Sequence, residues 1–336
     1  MLDLADELSR DPMPDTRPAS SRSSRFTGES QRCQLTELTA DSRLALHCLY
    51  DWLESIGRHV DADPGSHALR AALLALLDEE RLDAAASWAR SLAPVTSSPR
   101  LTRILHDVRG AALHQVISLA SRDDRALNRD ELRAIVIWAR DHAKVLRHMV
   151  LGLDDDRRRT DVATRRHGVA NLRTRLPVLL LAGGREPIAV TFAAACDDDF
   201  AETCPEFSTV LRQIYHLLDN AARYAVDGHI YVGAYPKPAG GPAAVRIVVA
   251  NAIGDAQRAQ LTSARAQGLW RGFSTTGGGV GLAASADLVS EAFGLDGAEQ
   301  AIREGYVGSR VSQAGYLAWL HWPVLAGASA ATADVS

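Results

Sequence analysis

Two stretches of the chain carry apolar residues at alternating spacings of three and four, a pattern that predicts two amphipathic helices. In residues 101–119 these positions are Leu101, Leu105, Val108, Ala112, Val116 and Leu119. In residues 132–153 they are Leu132, Ile135, Ala139, His142, Leu146, Met149 and Leu153. The polar run at 121–125 separates the stretches, so we predict a helical hairpin over residues 100–158. Because a lone hairpin leaves both apolar seams uncovered, we expect a homodimer built on a four-helix bundle.

After the hairpin the periodicity changes from helical to mixed. Segments 188–194, 229–235, 245–251 and 316–322 have the composition and alternation of strands. Helical patterns lie between them at about 208–226 and 280–293. The sequence therefore predicts a mixed sheet backed by helices over residues 165–325.

The rest of the chain divides by composition. Residues 10–32 are rich in Ser, Arg, Pro and Asp, which predicts a disordered tail over 1–35. A helical pattern over 36–92 predicts a helical region at 36–95, a possible input domain, and a second tail is expected at 326–336. The fold class expected is α+β: helical region, dimerising helical hairpin, then a domain of helices and sheet.

Composition excludes several classes of function. A chain of 336 residues with a net charge of -4 has no basic bias that would hold a nucleic acid. Its apolar stretches are far shorter than the roughly 20 residues of a membrane span, and its start does not have the pattern of a secretory signal, so we expect a cytoplasmic location. The four cysteines form no CxxC pair and are interpreted as reduced thiols.

The segment 210–225 (VLRQIYHLLDNAARYA) is predicted to be a helix with one apolar and one polar face. His216, Asn220, Arg223 and Tyr224 share the polar face by helical spacing. Alone, this pattern is typical of a surface helix. Downstream, Gly277, Gly278, Gly279 and Gly281 lead into a helix, where backbone and helix N-terminus could approach an anion. Alone, such a cluster is typical of a flexible loop.

Together the two segments resemble a known superfamily. Residues 217–224 (LLDNAARY) resemble the N box of the histidine kinase and Hsp90-like ATPases, and residues 273–282 (FSTTGGGVGL) resemble its glycine box. The strand ending at Pro323 is similar to the closing strand of that domain. The resemblance implies an α/β sandwich ATPase domain over 165–325 that binds ATP and Mg²⁺.

The resemblance also implies site residues. Asn220 would be the Mg²⁺ ligand, because its carboxamide oxygen is a hard donor. Arg223 and the glycines Gly277, Gly279 and Gly281 would contact phosphates, and Tyr224 would lie against the adenine.

This chain departs from the family at two places. The family usually has an aspartate that accepts a hydrogen bond from the adenine amino group, and here Asn251 stands there. An amide oxygen can accept the same bond more weakly, so Asn251→Asp would be expected to tighten ATP binding. His216 stands where many histidine kinases have a second asparagine.

Upstream, residues 105–110 (LHDVRG) resemble the phosphoacceptor box of the same kinases, without its usual proline. His106 lies about 100° around the helix from Leu105 and so can face solvent. A neutral imidazole can attack a phosphoryl group, and Asp107 could orient the ring or take its proton. An isolated His-Asp pair on a helix is otherwise ordinary surface composition.

The leading hypothesis is a histidine kinase that phosphorylates itself on His106 and transfers the phosphoryl group to an aspartate of a response-regulator receiver domain. The alternative is a degenerate relative that binds a response regulator without ATP turnover; Asn251 and His216 favour it. A third class is a serine-directed kinase of the anti-sigma type, which the helical hairpin argues against.

Overall fold

The computed structural model describes residues 26, 28–63, 65–122, 127–163, 165–176, 179–180, 188–236, 243–261, 268–271, 280–312 and 315–325. They divide into two compact units. The helical unit holds the described residues from Glu29 to Val162. The sheet unit holds the described residues of Ala163–Leu176 and those from Ile188 onward, with Phe26 and Gly28.

The helical unit contains seven labelled helices and one pair of short strands. The helices are α1 (Ala40–Gly57), α2 (His67–Leu76), α3 (Glu79–Ser91), α4 (Pro99–Val108), α5 (Ala111–Ala120), α6 (Arg129–Met149) and α7 (Asp155–Asp161). Strands β1 (Cys33–Gln34) and β2 (Val150–Leu151) pair in parallel. Part of the segment expected as a tail is thus folded, whereas residues 1–25 and 326–336 lie outside the described residues.

The second helix of the predicted hairpin is confirmed and its start has a local cause. Asn128 and Glu131 form a capping box before α6: Glu131 N donates to Asn128 Oδ1 at 3.0 Å, and Asn128 N donates to Glu131 Oε2 at 2.8 Å. These bonds satisfy amide groups that a helix start leaves without partners.

The first helix is not continuous as predicted over 101–119. It ends at Val108, and a new helix begins at Ala111, because Gly110 adopts an extended conformation with φ −93° and ψ −172°. Glycine costs about 1 kcal/mol in a helix interior relative to alanine, so a break here is inexpensive. The apolar spacing continues across the break, which is why periodicity alone did not reveal it.

The seams of the hairpin are covered inside the unit. Helix α6 packs against α1, α4 and α5, and α1 also packs against α3. Leu132, Ile135, Ala139 and Leu146 have no exposed surface. The segments 36–95 and 100–158 therefore share one core, and the homodimer prediction is left without the exposed seam on which it rested.

A buried charge network holds α7 in this unit. Arg147 on α6 donates to Glu54 on α1 at 2.9 Å and to Asp161 on α7 at 2.5 Å, and His148 Nε2 lies 3.2 Å from Asp161 Oδ2. Although burial opposes its ionisation, hydrogen bonds to His148 and Arg147 hold the pKa of Asp161 well below its usual range. The sequence alone does not predict this network, because Asp161 follows a charged run and Arg147 and His148 lie near the end of a predicted helix.

The sheet unit has the following labelled elements. They are β3 (His167–Gly168), α8 (Val169–Arg175), β5 (Ile188–Ala194), β6 (Asp199–Ala201), α9 (Cys204–Tyr224), β7 (His229–Pro236), β8 (Ala244–Asn251), α10 (Asp255–Gln260), α11 (Val280–Phe293), α12 (Ala298–Arg303), β9 (Val307–Val311) and β10 (Tyr316–Pro323). The short strand β4 (Leu179–Leu180), which precedes β5 in the chain, is assigned to the helical unit. The four strands and two helices predicted from periodicity are confirmed, with ends that differ by a few residues.

In the sheet unit, the neighbouring strands of a mixed sheet follow the order β5, β7, β8, β10, β9. Strands β5 and β7 are parallel, and the other neighbours are antiparallel. Helices α9 and α11 pack against the sheet and against each other, and Trp322 Nε1 donates to Glu206 Oε1 on α9 at 3.2 Å. The protein is thus α+β, as expected.

No helix within the described ranges has both the length and the apolar character needed to cross a membrane.

Candidate functional site

The end of helix α9 lies beside the end of strand β8. Helix α9 begins where Thr203 caps the amide of Glu206, and it ends at Tyr224. Two residues later, Val226 N donates to the carbonyl oxygen of Ala252, which directly follows β8, at 3.2 Å. This bond joins the segment that follows α9 to the residue that follows Asn251, so the ends of the two elements lie close together.

Asn251 holds a buried acceptor that has no partner among the described residues. The residue is 1% exposed, and its Nδ2 donates to Ala252 O at 3.1 Å. Its Oδ1 is buried and accepts no hydrogen bond from the described residues. An orphan buried acceptor costs about 1–3 kcal/mol, so such an atom calls for a functional explanation.

The position of Asn251 is set by its neighbours in the sheet. It pairs with Ile230 of β7 and Tyr316 of β10. Gly315 approaches so closely that an added Cβ would lie 2.2 Å from Asn251 O. Burial raises the pKa of the Tyr316 hydroxyl to about 12.

The other predicted site residues of α9 differ in their surroundings. Asn220 is partly exposed, and its carboxamide has no hydrogen bond to the described part of the chain. Arg223 is exposed and pairs with Asp219 one turn earlier, Nη2 to Oδ2 at 2.6 Å. Tyr224 is partly buried at the helix end. A carboxamide oxygen and a guanidinium near solvent can bind a cation and an anion, respectively.

His216 packs under the start of helix α11. It is buried, and a Cβ added to Gly281 would lie 3.1 Å from His216 Nδ1. The group that lies close to Gly281 is thus the imidazole of His216, whereas the sequence predicted a phosphate there. Gly277 and Gly279 lie outside the described residues.

In the helical unit, His106 and Asp107 form a pair of unequal exposure. The side chain of His106 is 43% exposed, as its offset from the seam predicted, whereas that of Asp107 is 1% exposed. His106 Nδ1 lies 3.3 Å from Asp107 Oδ1. The buried carboxylate can therefore orient the ring and leave Nε2 directed away from this contact.

Arg109 of the same segment has a structural role. Its Nε donates to Ala89 O at 3.1 Å, and its Nη2 donates to Leu92 O. These carbonyls lie at the C-terminal end of α3, where the negative end of the helix dipole also favours a cation. His142, interpreted as a seam residue, is buried and binds Val108 O through Nε2 at 2.8 Å.

A second pair, Cys204 with His167, was not found from the sequence. Cys204 Sγ lies 3.5 Å from His167 Nε2, although 37 residues separate them. The scattered His and Cys positions carry no signal for this contact, because it depends on the pairing of β3 with β6.

Comparisons with protein-family models and with curated proteins find no match. Within the described residues, no group of three or more His, Cys, Asp or Glu side chains could hold a metal ion.

Proposed function

We propose that the protein is an ATP-dependent histidine kinase of the two-component type. The sheet unit would bind Mg·ATP, His106 would accept the γ-phosphoryl group, and an aspartate of a response-regulator receiver domain would receive it next. Catalysis of such a transfer depends mainly on positioning and on charge neutralisation.

The observation that carries the proposal is the buried Oδ1 of Asn251, which accepts no hydrogen bond within the described part of the chain. Its Nδ2 donates one N–H to Ala252 O, and Oδ1 is left as an acceptor that a ligand can use. Such an atom favours a base with an exocyclic amino group, as in adenine, over one with a carbonyl group at that position. The resemblance of the surrounding segments to the ATPase superfamily points to the same base.

The residues of α9 fit the rest of the ligand. Mg²⁺ is held in many nucleotide sites by one or two protein oxygens, with water and phosphate completing its shell, so Asn220 alone suffices as a side-chain ligand. When bound, the ion neutralises phosphate charge. Arg223 can add positive charge only by sharing or releasing Asp219, since the two are paired now.

The nucleotide proposal is tested by Asn251→Leu, which has a similar shape and no acceptor. Calorimetric titration with Mg·ATP should show affinity at least about tenfold lower, a loss of about 1.4 kcal/mol. The unfolding free energy without nucleotide should stay equal or rise, because the orphan acceptor is removed and Ala252 O keeps its bond from Val226. Unchanged affinity in this variant, with wild-type folding, would reject the adenine contact.

Transfer is tested by His106→Gln with His114→Gln as a matched control, since both histidines are solvent-accessible and lie on adjacent helices. With γ-labelled ATP and Mg²⁺, wild type and His114→Gln should acquire acid-labile, alkali-stable label, and His106→Gln should acquire none. Label that persists in His106→Gln would place the nucleophile elsewhere.

The second candidate is a degenerate relative that binds a response regulator without turnover. Two features favour it. Asn251 is neutral, and His216, which stands where many of these kinases have a second asparagine, packs against Gly281. A wild-type protein that binds Mg·ATP but never becomes labelled, even from a phosphorylated regulator, would replace the kinase proposal with this one.

A further inference from the structure

We propose that Cys204 is a reactive thiol that forms mixed disulfides with small disulfides, with His167 as the base that takes its proton. The proposal is independent of nucleotide binding. It rests on the placement of one cysteine at a helix start beside an imidazole, and on the contrast with the chain's other cysteines.

The first step of the argument is the surroundings of the Cys204 sulfur. Cys204 is the first residue of the 21-residue helix α9 and is partly exposed. The positive end of a helix dipole stabilises a thiolate, which is the nucleophilic form. His167 Nε2 lies 3.5 Å from Sγ, within hydrogen-bond reach for sulfur, and can accept the thiol proton.

The second step is that the imidazole is held in place. His167 is buried, and its ring stacks on Phe207 with centroids 4.8 Å apart and planes 19° apart. Phe207 lies one turn into α9, and it stacks in turn on Phe200 at 5.9 Å. His167 also pairs with Ala201 through the β3–β6 ladder. The imidazole of His167 and the thiol of Cys204 are thus both held by α9 and the β3–β6 pair.

The third step is selectivity among the four cysteines. Burial raises the pKa of the Cys33 thiol to about 11, and burial with nearby Asp198 raises that of Cys196 to about 11. Cys48 lies in the interior of helix α1, away from a helix N-terminus. Of the four, Cys204 is the one that the described residues place beside an imidazole nitrogen.

The reaction balances without a further reactant. Cys204 Sγ attacks one sulfur of the small disulfide, the S–S bond of the reagent breaks, and a new S–S bond forms to Cys204. The thiol proton passes to His167 Nε2 and then to the departing thiolate. Cys204 is oxidised to the mixed disulfide while the reagent is reduced to one free thiol.

The test uses the full-length reduced protein and oxidised glutathione, with adducts located by peptide mass spectrometry over time. In wild type, Cys204 should react at least about tenfold faster than Cys196, the partly exposed thiol of the same unit. Cys204→Ser should remove the fast phase, and Cys196→Ser should retain it. Equal rates at the two cysteines, or a fast phase that survives in Cys204→Ser, would overturn the proposal.

The role of His167 is tested by His167→Phe, which keeps an aromatic ring against Phe207 and removes the nitrogen. The matched control is His229→Phe, whose histidine contacts the ring of Tyr231 on the sheet. The ratio of the Cys204 rate to the Cys196 rate should fall by about threefold or more in His167→Phe and stay unchanged in His229→Phe. The ratio is informative because general unfolding would expose both cysteines. A ratio equal to wild type in His167→Phe would exclude the imidazole as base.

Discussion

Gly315 and Asn251 approach each other so closely that a single added Cβ on Gly315 would lie 2.2 Å from the carbonyl oxygen of Asn251. Because that oxygen belongs to the backbone of β8, relief requires the end of the strand to move. The proposed position of the adenine acceptor therefore depends on the absence of a side chain at Gly315, the residue before β10.

We predict that Gly315→Ala displaces Asn251. The unfolding free energy should fall by about 1–3 kcal/mol through overpacking, and Mg·ATP affinity should fall with it. The control is Gly254→Ala, where the added Cβ would be 3.6 Å from Val226 and would cost less than about 1 kcal/mol, as expected for a helix N-cap. Urea unfolding and calorimetric titration check both effects, and equal stability of the two variants would contradict the close-approach argument.

Asn251→Asp, which the sequence suggests would tighten ATP binding, should instead destabilise the sheet unit. The Nδ2 donor to Ala252 O would be lost, and a carboxylate buried to 99% would face a carbonyl oxygen, since the residue is 1% exposed. We expect a loss of about 2–3 kcal/mol at neutral pH. Urea unfolding without nucleotide measures it, and wild-type stability would mean that the region rearranges around the charge.

Asp161→Asn should remove a pH-dependent part of the stability of the helical unit. Because the pKa of Asp161 is held below its ordinary value of 3.8, its contribution is present above that pH and is lost as the pH falls further. At neutral pH the variant should lose about 2–4 kcal/mol, since Arg147 would lose its carboxylate partner on α7. As the pH falls below about 4, the difference between wild type and variant should shrink progressively.

The matched control for this change is Asp156→Asn on the same helix, α7. Asp156 pairs with Arg159 at the surface with 90% of its side chain exposed. Its replacement should alter stability by less than about 0.5 kcal/mol. Urea unfolding at several pH values compares the two variants. A similar loss of unfolding free energy in both would show that the buried network stabilises the unit no more than a surface ion pair does.

Asp107→Asn should slow phosphorylation of His106 without changing ATP binding. The buried carboxylate lies 3.3 Å from His106 Nδ1 and would orient the ring and balance its charge, which an amide does less well. We expect about a 10- to 100-fold lower rate of label incorporation with an unchanged KM for ATP. An altered KM with an unchanged rate would assign Asp107 a structural role.

Arg109→Lys should weaken the helical unit while leaving the His106 pair intact. The guanidinium bonds to both Ala89 O and Leu92 O, and an ammonium cannot span the two carbonyls in the same way. A loss of about 1–2 kcal/mol is expected from urea unfolding. Unchanged stability combined with lost phosphorylation would instead give Arg109 a role in transfer.

The sequence by itself determined the elements that depend on local pattern. Strand composition located β5, β7, β8 and β10, with a near-continuous apolar run at 245–251, and helical patterns located α9 and α11. Helix α6 could be predicted in the same way, with Asn128 and Glu131 as its start signal. The exposure of His106 followed from its angle to the seam, since that angle is a property of the helix alone.

The tertiary structure decided which groups meet. Periodicity continues through Gly110, so the break between α4 and α5 depends on a turn and on the bonds of Arg109 to α3, which no local pattern encodes. Residues distant in sequence also decide three further features: the covering of the α6 seam by α1, the burial of Oδ1 of Asn251, and the Cys204–His167 contact. Burial and hydrogen bonding are properties of the packed chain, so the charge state and the chemistry of these groups were set only when the elements came together.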